Sequence, residues 1–307
     1  MRELTISGRR IADDTDAWVI AEIGNNHGGS VETCRQMILA AARAGADAVK
    51  LQKRELGYWA QHDPRWNQPY NSEHSFGATY GEHRAALEFG WDEYRELQSF
   101  ADDLGLVFFA TAFDLFSLDF LLRLGVPVIK LASASIVNYP LLVGCYVAGL
   151  PVILSTGGAT ESEVANALGH LWGPTMVTDD PPVALLQCTA EYPCDPAHMN
   201  LRYIESLRNR YGRTVIGLSD HQSGIAMAPV AYALGARIFE KHFTLNRAMK
   251  GSDNVFSLEP EGMRKMVRDL KRARLAMGDG LKRRYDDEVP ALVKMGRSDL
   301  AVERMTA

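Results

Sequence analysis

The chain has 307 residues, 47% of them hydrophobic and 23% charged, with a formal net charge of -5. That is enough apolar material for one large α/β domain, and mild acidity without a basic stripe argues against a nucleic-acid surface. No uncharged apolar stretch reaches membrane-spanning length and Met1-Arg2-Glu3-Leu4-Thr5 lacks a leader pattern, so a cytoplasmic protein without membrane partners is expected. Cys34, Cys145, Cys188 and Cys194 show no CxxC spacing and fall mostly inside apolar runs, as buried reduced thiols do. Any anionic substrate must be held by local cations.

In chain order, residues 4–6 with 10–11 predict a small hairpin closing a barrel floor. Eight β-rich runs then alternate with amphipathic stretches: 18–22, 48–52, 107–111, 128–131, 152–155, 183–188, 215–218 and 236–240. The first helical pattern spans 31–44, with Cys34, Ile38 and Ala41 on one face and Gly45 as its stop. A second covers 92–104. Another opens on Thr160-Glu161-Ser162-Glu163, a capping-box pattern in which hydroxyl and carboxylate satisfy free backbone donors. The last starts at Pro260, carries Met263, Met266, Val267, Leu270 and Met277 as one stripe, and ends at Gly278. This uninterrupted βα series predicts an α/β fold, a (β/α)8 TIM barrel, rather than an open doubly wound sheet. We expect one barrel domain over 1–281 and a solvated C-terminal extension over 282–307.

Residues 53–90 break the rhythm as a long loop after the second barrel strand, rich in Tyr58, Trp59, Trp66, Tyr70, Phe76 and Tyr80. Following a strand, it belongs on the catalytic face, where it either covers the mouth and excludes water or is packed decoration.

Strand after strand ends in a group able to bind an anion or a metal: Glu22; Lys50 with Gln52; Thr111; Lys130 with Ser133; Ser155; Ser219 with His221; Glu240 with His242. Barrel enzymes carry their active sites at that end. Any one of these alone is ordinary, since a strand-end lysine snorkels or pairs and a serine caps a helix. Their recurrence on strand after strand is not. Lys50 and Lys130 interrupt apolar contexts, so each needs a counter-charge, either a bound anion or a buried Lys–Glu pair. The hydroxyls of Thr111, Ser133, Ser155 and Ser219 suit phosphate or carboxylate oxygens. His221 and His242 close adjacent runs in Ser219-Asp220-His221 and Glu240-Lys241-His242, so both imidazoles are expected at one mouth, bridged by a divalent metal that polarises a carbonyl. Two satisfied core histidines are the alternative. Imidazole with oxygen ligands suits Mn²⁺, Mg²⁺, Fe²⁺ or Zn²⁺ alike.

Ala21-Glu22-Ile23-Gly24-Asn25-Asn26-His27-Gly28-Gly29, Ala44-Gly45-Ala46-Asp47-Ala48-Val49-Lys50-Leu51-Gln52, Lys130-Leu131-Ala132-Ser133, Leu154-Ser155-Thr156-Gly157, Gly217-Leu218-Ser219-Asp220-His221 and Glu240-Lys241-His242-Phe243-Thr244-Leu245 together resemble the sialic acid (N-acetylneuraminate) synthase family. The resemblance implies a barrel that condenses phosphoenolpyruvate with an aldose or N-acylaminosugar aldehyde, giving a nonulosonic-type 2-keto sugar acid and phosphate. It further implies Mn²⁺ or a similar divalent ion on His221 and His242, and a homodimer. Lys50, Thr111, Lys130, Ser133, Ser155, Ser219 and Tyr192 would meet phosphoenolpyruvate. Glu22, Gln52 and Asp253 would face the sugar, and Glu240 would orient or deprotonate a water. Relative to the family pattern, Ala190 stands where asparagine is frequent, Gly251-Ser252-Asp253-Asn254 replaces Gly-Pro-Asp-His, and the chain stops near residues 296–301, where an antifreeze-like domain commonly begins. Two alternatives stay open. One is a related barrel synthase making a shorter keto acid from a sugar phosphate, which an extra Arg or Lys at the far end of the acceptor pocket would indicate; Lys53 and Arg54 are the candidates. The other is a non-catalytic scaffold that binds sugar or phosphoenolpyruvate.

Overall fold

The computed structural model describes residues 2–173, 182–297 and 299. Strands β1 (Glu3–Ile6) and β2 (Arg9–Ala12) form an antiparallel hairpin. They are followed by β3 (Trp18–Gly24), β4 (Ala48–Lys53), β5 (Val107–Ala112), β6 (Ile129–Leu131), β7 (Val152–Ser155), β8 (Val183–Cys188), β9 (Val215–Asp220) and β10 (Ile238–His242). These eight close into a parallel barrel in the order β10-β3-β4-β5-β6-β7-β8-β9. All residues of β3 and of β6 to β10 are buried, as expected where helices cover a parallel sheet from outside. The hairpin does lie at the floor: Arg9 pairs with Asp47, just before β4, and Arg237, just before β10, donates to the Asp13 carbonyl at 2.9 and 3.0 Å.

Local chemistry explains the element ends. Helix α1 (Val31–Ala44) starts where Ser30 Oγ accepts from Thr33 N and stops at Gly45, whose φ of 86° only glycine adopts cheaply. The Thr160–Glu163 capping box forms, with Thr160 N donating to Glu163 Oε2 at 2.7 Å. Six strands differ from expectation by one or two residues at an end: β3 runs on to Gly24, β4 to Lys53 and β5 to Ala112, and β6 begins at Ile129. β9 extends to Asp220 and β10 begins at Ile238 and continues through His242, because the ladder runs on through the Lys241–Asp220 pairing. In the helix Pro260–Met277, Met263, Met266, Val267 and Leu270 are buried but Met277 is 53% exposed, so the packed stripe ends before the last turn.

The 53–90 segment is structured rather than an open loop. It holds helices α2 (Leu56–His62) and α3 (Tyr80–Leu87), after which α4 (Trp91–Asp103) resumes the barrel series. Lys53 Nζ clamps its neck, bonding Glu88 Oε1 at 2.8 Å and the Phe89 carbonyl at 2.9 Å. Its C-terminal part rests on the loop after β3. A Cβ at Gly29 would stand 2.1 Å from the Ala86 carbonyl oxygen, and the residue has φ of 79°; at Gly28, φ is 60° but the nearest contact is an ordinary 3.5 Å to Phe76. In the same loop His27 is buried and stacked on Phe89 at 4.2 Å, and its Nδ1 accepts from Gly29 N at 3.1 Å.

The chain divides into two compact units, Met1–Arg274 and Leu275–Ala307. The second contains a 3-10 turn, Asp286–Glu288, leading into the short helix Val289–Lys294. Of the expected extension, positions 298 and 300–307 lie outside the described residues. Among the described residues no helix is long and apolar enough to cross a membrane.

Two outcomes follow from the β3 loop. Burial pushes the His27 pKa down to about 4 from an ordinary 6.5, so the unfolded chain takes up the proton first and native stability is lost as pH falls from 6.5 toward 4. That gap is worth about 3 kcal/mol; denaturant midpoints at pH 7 and pH 4.5 should differ less in His27→Gln than in the wild type. Gly29→Ala should cost at least ~2 kcal/mol from left-handed strain and displacement of α3, and Gly28→Ala about 1 kcal/mol. Limited proteolysis within 53–90 should rise only in the first variant, and equal behaviour of the two would refute the docking.

Candidate active site

The C-terminal mouth of the barrel encloses a cavity of about 360 Å³, and every residue assigned from the sequence to chemistry or substrate lines it. Glu22 comes from β3, Lys50 and Gln52 from β4, Thr111 from β5 and Lys130 from β6. Ser133 opens the 3-10 turn after β6, and Ser155 ends β7. Ser219 lies on β9 with His221 just beyond it, Glu240 and His242 lie on β10, and Tyr192 and Asp253 reach in from loops. The period of two along a strand explains the arrangement: Ser219 and Glu240 are register partners facing inward. Asp220 and Lys241, the middle residues of the two tripeptides, are the next pair and face outward, bonded at 2.7 Å. His221 and His242 therefore return to the inside, with ring centroids 5.4 Å apart.

The charged groups form a connected cluster. Lys50 Nζ sits 2.6 Å from Glu22 Oε2, donates to Thr111 Oγ1 at 2.7 Å, and lies 3.8 Å from Glu240 Oε1. Lys130 Nζ donates to Ser155 Oγ at 2.7 Å and to the Leu131 carbonyl at 2.9 Å, with the same Glu240 oxygen 3.8 Å away. Both lysines thus have glutamate partners, the Lys–Glu alternative, but Lys130 only shares one. Gln52 Nε2 donates to Glu22 Oε1 at 3.1 Å, and Ser219 Oγ to Glu240 Oε1 at 3.3 Å. Burial, reinforced by Glu240, outweighs Lys50 and pushes the Glu22 pKa up to about 7. Burial opposes ionisation of Glu240 too, but there Lys130 and Lys50 prevail and hold it below the usual carboxylate value. Burial also lowers the Lys130 pKa, partly offset by Glu240. The two carboxyls are thereby set apart, one ionised and one able to carry a proton near neutrality.

The imidazoles suit a metal. His221 Nδ1 donates to the Thr189 carbonyl at 2.8 Å, which fixes its tautomer and leaves Nε2 with the lone pair. His242 is kept neutral by burial and by His221, and its Nδ1 is buried without a hydrogen-bond partner, 3.7 Å from Asp253 Oδ2. Glu240 Oε2 is likewise buried and unpartnered. Such orphaned atoms fit an open site in which an ion is held by two rings and completed from solvent or substrate. Among the described residues no group of three His, Cys, Asp or Glu stands ready to ligate a metal.

Sequence analysis gave Cys188 and Phe113 no place at the cavity and named Arg54 only as a candidate cation for the far end of the acceptor pocket. Cys188 ends β8 and lines the cavity, as the strand-end criterion predicts, but was grouped with the core thiols. Phe113 follows Thr111 by two positions and Arg54 follows Gln52 by two, so continuing the alternation would have found both. Lys53 points the other way, into its pair with Glu88.

Fold and site define a class: a parallel eight-stranded barrel with a cavity of buried lysines, glutamates and two imidazoles at the C-terminal ends of its strands, the layout of a barrel enzyme. Residues 37–282 match the model of the NeuB family. The chain is 36% identical over 300 residues to N-acetylneuraminate-9-phosphate synthase of Mus musculus, covering 98% of this chain and 82% of that protein. It is 32% identical to N,N'-diacetyllegionaminic acid synthase of Legionella pneumophila, covering 92% and 79%. The solved structure of N-acetylneuraminic acid (sialic acid) synthetase from Leptospira borgpetersenii, in complex with citrate, superposes with a TM-score of 0.79 at 33% identity, covering 96% and 97%. The chain belongs to the NeuB family.

The outward Asp220–Lys241 pair can be tested apart from the chemistry. Lys241→Met leaves a buried carboxylate alone and should cost about 3–5 kcal/mol, whereas the double change with Asp220→Asn should recover much of it. Equal loss in the single and double variants, by chemical denaturation, would remove the pair from its role.

Proposed function

We propose that this chain condenses phosphoenolpyruvate with an aldose or N-acylaminosugar aldehyde, releasing phosphate and a nonulosonic-type 2-keto sugar acid. The observation that carries this is the pairing of two buried ammonium groups, ringed by hydroxyls, with two imidazoles across one cavity. With Glu22 partly protonated near neutrality, the cluster has a positive surplus for an anionic donor. Lys130, Ser155 and Ser133 on one side, and Lys50, Thr111 and Ser219 on the other, supply charge-assisted donors for its phosphate and carboxylate. His221 and His242 would hold a divalent ion, Mn²⁺ in this proposal, which when bound supplies Lewis-acid polarisation of the acceptor carbonyl.

In the first step C3 of the enol ester bonds to the aldehyde carbon, whose oxygen takes a proton, and C2 becomes oxocarbenium-like. Water adds at C2 and Glu240 accepts one of its protons; the C2–O bond to phosphate then breaks as the new hydroxyl's remaining proton passes to the departing phosphate, leaving the 2-keto group. Glu22, near 7, can pass a proton to or from the acceptor's oxygens, with Gln52 orienting it. Tyr192 packs on the His221 ring at 4.1 Å and shields the mouth from solvent. The same proposal takes 1–281 as the catalytic barrel and 282–307 as an extension. It makes the enzyme a homodimer, as the family resemblance implies, and cytoplasmic, where its four free buried thiols stay reduced.

Protein incubated with phosphoenolpyruvate, Mn²⁺ and a panel of hexose and hexosamine aldehydes should release phosphate. Mass spectrometry should show the acceptor lengthened by a pyruvyl unit. Chelation should abolish release and Mn²⁺ restore it, and His242→Ala should lower kcat by ~100-fold or more, about 3 kcal/mol. Phosphoenolpyruvate binding without turnover of any acceptor would favour a non-catalytic scaffold, and a shorter keto acid from a sugar phosphate the related synthase.

A further inference from the structure

We propose that Ser252 and Asn254 are positioning residues that aim the Asp253 carboxylate into the mouth of the barrel, so that acceptor binding depends on them through Asp253. The inference rests on the reading above in which Asp253 faces the acceptor.

Asp253 and Gln52 line both the main cavity and a smaller one of about 110 Å³, which has Tyr70, Phe76 and His83 of the 53–90 segment in its wall together with Gly251 and Ser252. Gln52 is aimed by the alternation of β4, but Asp253 stands on the loop after β10, where no ladder sets the direction of a side chain. Its aim must come from the loop's own bonds.

Those bonds act at two levels. The backbone is set by a buried polar network. Asn254 Oδ1 accepts from Thr244 Oγ1 at 2.6 Å, just past β10, and its Nδ2 donates to the Lys250 carbonyl at 3.1 Å, so one carboxamide ties the turn to the end of the strand. Gly251 passes close over that amide: its φ is 139°, and a Cβ there would stand 2.6 Å from Asn254 Nδ2. On the other side of the turn the Asp253 carbonyl accepts from Ser257 Oγ at 2.5 Å, and Asn26 Nδ2 donates to that same Oγ and to the Phe243 carbonyl, both at 2.9 Å. Asn26, Thr244, Asn254 and Ser257 are all buried, where each lost bond is costly. The side chain is set by Ser252. Its Oγ donates to Asp253 Oδ1 at 2.7 Å, while Oδ2 lies 3.7 Å from His242 Nδ1. Among the described residues no other hydrogen bond holds the carboxylate, so the serine hydroxyl alone fixes its rotation. Ser252 and Asn254 are also the two positions at which Gly251-Ser252-Asp253-Asn254 departs from the family pattern. A proline before the aspartate restricts φ but donates nothing, whereas serine supplies a charge-assisted donor.

Calorimetry separates positioning from mere support of the turn. The full chain, loaded with Mn²⁺ and phosphoenolpyruvate, is titrated with the alditols of the hexose and hexosamine panel, which lack the aldehyde and are not turned over. Asp253→Ala should weaken the best of them on the order of tenfold or more and Ser252→Ala about fivefold, with phosphoenolpyruvate affinity unchanged. Ser252→Thr, which keeps the hydroxyl, should restore wild-type binding. In the Asp253→Ala background, Ser252→Ala and Asn254→Ala should have no further effect, because the group they aim is gone. Asn254→Ala should also lower the thermal midpoint, whereas Ser252→Ala, at an exposed position, should not, so the serine cycle decides even where the asparagine variant fails to fold. Unchanged affinity in Ser252→Ala, an equal loss with and without Asp253, or no rescue by threonine would each overturn the proposal, as would failure of the wild type to bind any alditol. Binding that follows the cycle while no aldehyde is turned over would sink the condensation alone.

Discussion

The site depends on an ion pair that never touches substrate. Asp220 and Lys241 meet behind β9 and β10, buried and 2.7 Å apart, with Lys241 also donating to the Gln222 carbonyl. Side chains alternate along a strand, so fixing these two outward fixes Ser219, His221, Glu240 and His242 inward. A one-residue slip of β10 against β9 would turn His242 out toward the helices and leave a lysine at the mouth. A buried pair with good geometry contributes little net stability over an apolar pair, but it penalises a wrong register heavily, since a slip strands two charges in low dielectric. Here the pair specifies rather than strengthens.

Inside the barrel the same low dielectric makes the charges interdependent. Lys50, Lys130, Glu22 and Glu240 all lie within one connected cluster, so the state of each depends on the others. Glu240 faces two ammonium groups and stays ionised; Glu22 faces one ammonium and another carboxylate and is pushed toward neutrality. One cluster therefore presents a base and a proton carrier a few ångströms apart without any special residue chemistry. An arriving anion would engage the lysines and alter both carboxyls at once, a physical route for coupling donor binding to acid–base readiness.

Much of this was legible in the sequence because parallel barrels write their sites at strand ends. Apolar runs located the strands, and the polar residues at their C-terminal ends located most of the cavity lining, down to Ser155, whereas Asp253 and Tyr192, on loops, were named only through the family resemblance. What stayed hidden depends on distant partners. No local pattern says that Lys50 will find Glu22, or that Lys53 will close the neck of its own insertion onto Glu88. The 53–90 segment read as loop because its helices are short and its aromatic residues pack on one another, Tyr70 against Tyr80 and His83, rather than on a barrel face that would impose a period. Arg54 was named as a cation for the far end of the pocket, but its bond to Gln52 and its stacking on Phe113 depend on how β4 and β5 end in the fold.

That insertion is fixed to the barrel beside the cavity rather than hung from it as a loose loop. Its neck is clamped by Lys53 and Glu88, α2 is tied to the end of β5 through Trp59 and Asp114, and the end of α3 rests where Gly29 leaves no room for a side chain. Three separate attachments to the barrel leave Arg84 and His83 little freedom to drift from the cavity they line. A rim fixed in this way selects by shape and charge before any closure occurs, because its groups are ordered in advance of the ligand. The barrel strands carry the charged cluster and the two imidazoles, and the insertion, being the segment least bound by barrel periodicity, walls the smaller cavity that shares Gln52 and Asp253 with theirs.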